Sequence, residues 1–377
     1  MYPPSVASNA AGNYVVVWST DFADHSSEID GQRYCASGTP MGSQFTISKS
    51  TSPSVELIAP NVAINIQGEF VVTWFNIQNF TTNNPTYSIH AQRFNFLGKA
   101  QGTELAIGNS AYPDNLYINS NNVGIDSNGD FVVIRESPHN VGDFIYAQVY
   151  NWSGSLKGNQ ITVASGNGTS TFADTSTATM DSKGDFVVAW HNLDTVSDSV
   201  MARRYNLAGK PTSNLITVVT GSNNTFHSPV LAIDSIGAFV VAWDQYDPNV
   251  GDSIHAQRYD SLGHASGSAI TVFRVDSNSF RVGFPTSVAM NTVGDFVVSW
   301  FVENFSNSFV YAHAYKSSGQ SDGGQMTVAQ GDSKSFPVSP SVAMNGCGKF
   351  VIVWSNQIPQ TTMNTYKFKI TAQQYRN

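Results

Sequence analysis

The sequence predicts an all-β fold, a seven-bladed β-propeller of four-stranded antiparallel blades. Three observations predict it. A Gly-x-aromatic-Val-Val-x-Trp motif recurs seven times, its period fits four short strands with tight turns, and its central strand is apolar on both faces.

The motif reads "GNYVVVW" ending at Trp18, "GEFVVTW" at Trp74, "GDFVVIR" at Arg135, "GDFVVAW" at Trp190, "GAFVVAW" at Trp243, "GDFVVSW" at Trp300 and "GKFVIVW" at Trp354. Its aromatic positions, Tyr14, Phe70, Phe131, Phe186, Phe239, Phe296 and Phe350, stand 56, 61, 55, 53, 57 and 54 residues apart. A period of this length holds four strands of roughly five or six residues with short turns. Helical repeats are shorter and show a 3.6-residue pattern, which is absent.

Within each unit the elements follow in order. The first strand is a short alternating stretch: "PSVAS", "PNVAI", "NNVGI", "STATM", "PVLAI", "TSVAM" or "PSVAM". A tight turn follows, exemplified by "DSKGDF", in which Asp181 bonds forward to the backbone and Gly184 supplies a positive φ. The second strand is the apolar motif itself. The third ends in "DGQRY", "HAQRF", "YAQVY", "MARRY", "HAQRY", "AHAY" or "AQQY", and the fourth reads "FTI", "LAI", "ITV" three times, or "MTV".

A strand apolar at every position needs cover on both faces, which face-to-face stacking supplies; closing the stack into a ring removes its exposed ends. An open solenoid is the alternative, but its rungs are normally shorter. The units, approximately 1–58, 59–118, 119–173, 174–227, 228–284, 285–338 and 339–377, form a single domain spanning residues 1–377. The fourth strand type occurs only six times. Either the last blade is three-stranded, or a strand upstream of Met1 completes it; the start at a repeat boundary favours an excised segment or mature fragment.

Cys35 follows the third strand of unit one and Cys347 lies in the first turn of unit seven. These turns share one end of an antiparallel blade, so a Cys35–Cys347 disulfide would clasp a closed ring. Two unrelated thiols are the alternative. The pairs Asp126 with Asp130 and Asp181 with Asp185 resemble half a calcium loop, making calcium the one cofactor considered. Other units lack the acidic pair, and calcium needs six or more oxygen ligands, so a hairpin turn is the better reading.

Charged residues form 12% of the chain and hydrophobic ones 41%, enough for a core despite the abundance of Ser, Thr, Asn and Gly. The net charge is -8, and no Lys/Arg run offers itself to phosphates, which argues against nucleic acid. No stretch approaches 18 apolar residues, and the start lacks the basic and apolar regions of a signal peptide.

In "YPPSVASNAAGNYVVVW", "IHAQRYDSLGHASGSAITV" and "PTSVAMNTVGDFVVSW" the chain resembles tandem repeats of large secreted bacterial proteins, of adhesin or exoprotein type. Their pattern runs roughly as "YPSVA, GGFVVTW, I, GQRYD, G, G, F, V". The resemblance covers essentially the whole chain, implies secretion or surface exposure, and implies no catalytic residue. Arg135 in place of Trp and "AHAY" ending at Tyr315 depart from the pattern.

Function on such a scaffold belongs to loops and channel. The connections between second and third strands vary most and are rich in Asp, Asn, Ser, Thr and aromatics. Unit three deviates furthest: "RESPHNVGD" brings Arg135, Glu136, His139 and Asp143 to one blade end, and Asp247 and Asp252 hold similar places in unit five. An Arg replacing a packed Trp must find a carboxylate or water, or plug the gap as an edge ion pair. No nucleophile elbow, zinc motif, phosphate loop or Cys/His pair is present. Asp21, Asp24 and His25 could ligate a metal in isolation, but no second cluster supports them. His90 and His255 occupy equivalent positions on the third strand, which points to a structural place. Five Asn-x-Ser/Thr sequons, starting at Asn79, Asn151, Asn167, Asn223 and Asn304, match what chance supplies at this composition.

The leading expectation is an extracellular binding module that recognises a glycan or protein through one loop face, inserting into no membrane. One rival is a carbohydrate-active enzyme, a glycoside hydrolase or lyase, with acidic residues at the central channel. The other is a self-associating structural or filament-forming subunit.

Overall fold

The structure is a computed structural model that describes residues 2–22, 26–80, 82, 85–111, 122–136, 144–166, 171–194, 197–221, 226–247, 251–275, 281–304, 306–332, 334–359 and 366–375. Among the described residues the regular elements are all strands, and no helix is long and apolar enough to cross a membrane.

Blade one is β1 (Ser5–Ser8), β2 (Tyr14–Asp21), β3 (Ser27–Tyr34) and β4 (Phe45–Ser50); blade two is β5 (Val55–Ile64), β6 (Phe70–Gln78), β7 (Thr86–Phe94) and β8 (Ala100–Ala111). Blade three is β9 (Asn122–Ile125), β10 (Phe131–Glu136), β11 (Phe144–Tyr150) and β12 (Ile161–Ser165). Blade four follows as β13 (Thr171–Met180), β14 (Phe186–Asp194), β15 (Asp198–Tyr205) and β16 (Ile216–Gly221). Blade five is β17 (Phe226–Ile233), β18 (Phe239–Asp247), β19 (Gly251–Tyr259) and β20 (Ile270–Arg274). Blade six is β21 (Arg281–Met290), β22 (Phe296–Glu303), β23 (Ser308–Tyr315) and β24 (Met326–Gln330). Blade seven has three strands, β25 (Phe336–Met344), β26 (Phe350–Pro359) and β27 (Tyr366–Tyr375). All pairings are antiparallel and sequential.

The ring closes between blades seven and one. The Val6 N–H donates to Ser341 Oγ at 3.3 Å, and β1 packs on β25. The serines of "PSVA" and "TSVA" repeat this hook: Val62 N–H donates to Ser5 Oγ at 3.3 Å, and Val342 N–H to Ser287 Oγ at 3.1 Å. Seven apolar cores lie between successive blades, and each buries second-strand residues from both sides. Burying a Val or Phe side chain in such a layer contributes about 1.5–3 kcal/mol.

The expected unit boundaries cut through five inner strands. β5, β13, β17, β21 and β25 each run on through a register shift, as between Ile58 and Asn61. Ala59, Thr175, Ser228 and Ser339 take φ of 49°, 46°, 29° and 53° there. The chain absorbs one or two extra residues as a bulge and continues pairing, so the strand starts earlier than its alternating core stretch suggests.

The lower end carries the turns that join first to second and third to fourth strands, and it explains the repeat motif. In all seven blades the aromatic that opens the second strand stacks on the one that closes the third, from Tyr14 on Tyr34 at 4.8 Å to Phe350 on Tyr375 at 5.1 Å. The Gln of "QRY" ties its own third-to-fourth-strand turn, as Gln32 Nε2 does to Gly42 O at 3.1 Å. The Arg reaches the next blade: Arg33 donates to Phe96 O at 2.6 Å, Arg93 to Trp152 O at 2.5 Å and Arg258 to Ser317 O. A side chain at Gly154, whose φ is +86°, would put its Cβ 2.9 Å from Arg93 Cζ. Glycine is needed there twice over, for backbone and for space.

Each first turn is built on one Asn or Asp: Asn9, Asn65, Asp126, Asp181, Asp234, Asn291 and Asn345, all buried. Asp181 Oδ1 accepts the N–H groups of Lys183 and Asp185 at 2.9 and 3.1 Å, with Gly184 at φ +92°, as the sequence predicts. Hydroxyls then link turn to turn: Ser127 donates to Ser182 O at 2.6 Å, Ser182 to Ser235 O at 3.4 Å, Ser235 to Thr292 O at 3.2 Å and Thr292 to Gly346 O at 3.3 Å.

The two cysteines are free, so the expected disulfide is not formed. The first turn of blade one packs against the turns that carry both. A Cβ at Gly12 would lie 2.9 Å from Asn345 Nδ2 and 3.0 Å from Ala36 Cβ. The Cys35 thiol bonds instead to Ser37 Oγ at 3.0 Å, and this hydroxyl lowers its pKa to about 7.

Candidate functional site

The inner strands enclose a channel of about 730 Å³, lined by Ser5, Asn61, Thr177, Thr286 and aliphatic side chains. Among the described residues no Asp, Glu, His, Lys or Arg lines the bore. The acidic residues expected there under the enzyme reading sit elsewhere. Asp126, Asp181 and Asp234 lie at the lower mouth, with an oxygen of each committed to its turn.

The two acidic pairs considered for calcium are taken up by protein groups. Asp130 pairs with Lys157, and Asp185 lies 3.8 Å from Arg204. Among the described residues no three His, Cys, Asp or Glu form a group able to hold a metal. Burial raises the pKa of Asp126, and the neighbouring Asp130 carboxylate adds to the rise.

The upper end carries the connections from second to third and from fourth to first strands. There the blades stop resembling one another. The residue after the motif Trp is Ser19, Phe75, Glu136, His191, Asp244, Phe301 or Ser355 in successive blades. Blades three, four and five thus place a titratable group where the others have Ser or Phe. Glu136 Oε1 accepts the N–H and Oγ–H of Ser176, at 2.7 and 2.8 Å, in the bulge of blade four. His191 Nε2 lies 2.6 Å from Oδ1 of Asp198, a carboxylate with no exposed surface. Asp244 is buried too. Glu136 thus holds blade to blade and the His191–Asp198 pair strand to strand beneath the surface; sequence reading found Glu136 and missed the other three. Lining up the residue after each Trp is the signal that finds His191 and Asp244.

Arg135 faces away from Glu136. Its guanidinium lies 4.4 Å from the centre of the Tyr146 ring and donates to Gln160 Oε1 at 2.7 Å. It therefore finds an amide and an aromatic face where a carboxylate or water was expected. This row is the Trp row of other blades, in which Trp74 meets His90 at 5.9 Å and Trp243 stacks on His255 at 5.6 Å. The two histidines are structural, as their equivalent positions suggest. Asp252 Oδ2 accepts Val282 N–H at 2.9 Å and so fastens blade five to blade six. Asp247 ends β18 opposite Gly251. His139 and Asp143, like Asp24 and His25, lie outside the described residues.

Ten large apolar side chains are exposed among the described residues, and only Phe22 and Tyr246, 43% and 42% exposed, are at the upper end. Each is next in the chain to an acid, Asp21 and Asp247 respectively. A second group comes together from two blades, Tyr2, Asp21, Glu56 and Tyr87, whose charges act on one another. Burial pushes the Tyr2 phenol up to about 12, with the Glu56 and Asp21 charges adding to it. Burial likewise raises Asp21, and it raises Glu56 with help from the Asp21 charge. Sequence reading did not join these residues, because they come from separate strands of separate blades.

No family model matches the chain, and no curated protein matches it. Among solved structures it is similar in fold to a polysaccharide lyase, Uly1, with a TM-score of 0.52 and 9% identity over 96% of this chain and 87% of that one. It is similar to the same degree to a protein of unknown function from Dyadobacter fermentans, with a TM-score of 0.51 and 11% identity over 98% and 93% of the two chains. At these identities the likeness is one of fold.

Proposed function

We propose that this propeller is a secreted or cell-surface module that binds a glycan across its upper end. The observation that carries the reading is the pair of exposed aromatics, Phe22 on blade one and Tyr246 on blade five, each next in the chain to an acid. An aromatic face covers the C–H face of a sugar ring, and neighbouring carboxylates accept its hydroxyl hydrogens in charge-assisted bonds. The repeat resemblance supports the extracellular setting. A glycan array probed with the intact chain, then with Tyr246→Ala and Phe22→Ala, tests it. The expected result is selective binding that weakens at least tenfold, about 1.4 kcal/mol, in either variant. Binding that survives both substitutions, or none to any glycan, would remove the reading.

The enzyme reading has one observation in its favour, the pair Asp21 and Glu56, both with raised pKa and flanked by the Tyr2 and Tyr87 phenols. Carboxyls that keep their protons to higher pH are suited to donate them to a leaving oxygen. Release of oligosaccharide from a bound polysaccharide, abolished in Glu56→Gln, would favour it over binding alone.

A further inference from the structure

Blade seven ends in β27, and β27 has the surface of a strand whose outer neighbour is missing. Ala372 is exposed, whereas its equivalents Ala91, Ala147, Ala202, Ala256 and Ala312 have no exposed surface beneath a fourth strand. Ile370 is only half-buried, although the equivalent Ile29, Ile145, Val200, Ile254 and Val310 are fully covered. The cores show the same gap. Six of the seven inter-blade clusters contain at least two apolar side chains from a fourth strand, such as Ile161 with Val163 or Met326 with Val328. The cluster between blades seven and one contains none.

We propose that the free edge of β27 takes up, as a fourth strand, an extended segment of a second polypeptide with the pattern apolar-Thr-apolar-x-acidic. The six complete blades define the apolar-x-apolar part, with Thr between the two in five of them. In blade three Ile161 sits opposite Ala147 and Thr162 opposite Tyr146; in blades four, five and six Ile216, Ile270 and Met326 face the equivalent Ala, and Thr follows in the same register. The incoming strand would therefore set one apolar residue opposite Ala372 and Thr opposite Thr371. Charge fixes the last position. In blade one Glu28 and Lys49 face each other across the third and fourth strands and pair at 2.5 Å. The residue in the Glu28 row of β27 is Lys369, exposed, so its partner is acidic. A second copy of this chain is a poorer occupant, because its own β27, "YKFKITAQQY", has no acid to offer Lys369. Main-chain hydrogen bonds along the edge supply affinity and the alternating side chains supply register.

The test is fluorescence anisotropy with a labelled peptide copying residues 158–166 with Ser165→Asp. The expected result is saturable one-to-one binding, weakened at least tenfold by Ile161→Ser with Val163→Ser in the peptide, and equally by Ala372→Arg in the protein. Ala372 is exposed, so that variant keeps its fold, which circular dichroism checks. Lys369→Glu should reverse the preference toward a peptide carrying Ser165→Lys. Absence of binding to the folded chain, equal binding of the polar peptide, or dimers that Ala372→Arg disperses without peptide would each overturn the proposal.

Discussion

The two ends of the propeller obey different rules. At the lower end all seven blades share an aromatic stack and an Asn or Asp turn, and blades one, two, four and five add an Arg that latches onto the next blade. At the upper end the residue after the motif Trp changes from Ser to Phe to Glu to His to Asp, and among the described residues the exposed aromatics are confined to two blades. Repetition marks what holds the ring together, because every inter-blade contact must satisfy the same geometry. Divergence marks where a single ligand, which has no sevenfold symmetry, can be met.

The comparison is sharpened first at a divergent residue that lies beneath the upper surface. His191→Ala leaves Asp198 buried without its imidazole, so a loss of about 3–5 kcal/mol is expected in denaturant unfolding, with the exposed upper-end residues showing no such cost. A smaller loss would mean that water reaches Asp198. Next comes the lower end. Gly154→Val forces a side chain into φ +86° and against Arg93, and should cost about 2–3 kcal/mol while leaving glycan affinity per folded molecule unchanged. Tyr246→Ala reverses that pattern, with affinity down by about 1.4 kcal/mol or more and the melting temperature unmoved.

The smallest effect has the opposite sign. Asn65 and Asn291 donate Nδ2 to the acid four residues on, at 3.0 and 3.2 Å, whereas Asp126 meets Asp130 as a second carboxylate. Asp126→Asn should therefore stabilise the chain by about 1 kcal/mol at neutral pH, by gaining that bond. The folded-state pKa of Asp126 is raised. Its protonated form is thus favoured by folding, and the stability it confers is complete below the ordinary Asp range and lost as pH rises through the raised value. The advantage of Asn should shrink as unfolding is repeated at pH values falling below that range.

What could be read from the sequence follows the same division. The ring, its seven units, the Asx-turn at Asp181 and the structural place of His90 and His255 were legible because each recurs, so one occurrence checks another. The strand starts were not, since a bulge such as Ile58–Asn61 hides continued pairing behind a broken alternation. The cysteine clasp was not formed although topology placed both turns at one end; each of those turns packs on the first turn of blade one, around Gly12. Arg135 and Glu136 stood out as departures from the motif, although their partners, Gln160 with Tyr146 and Ser176, lie on other strands. The grouping of Asp21, Glu56 and Tyr2 depends on how blades one and two meet, which no spacing in the chain expresses.

The most direct test titrates the best array glycan into the unaltered chain, Tyr246→Ala and Ile236→Ser side by side, Ile236 being exposed at the lower end. The account predicts that Tyr246→Ala weakens binding at least tenfold while Ile236→Ser leaves it unchanged. Loss of binding in Ile236→Ser with full affinity in Tyr246→Ala would place recognition on the repeating end and contradict it.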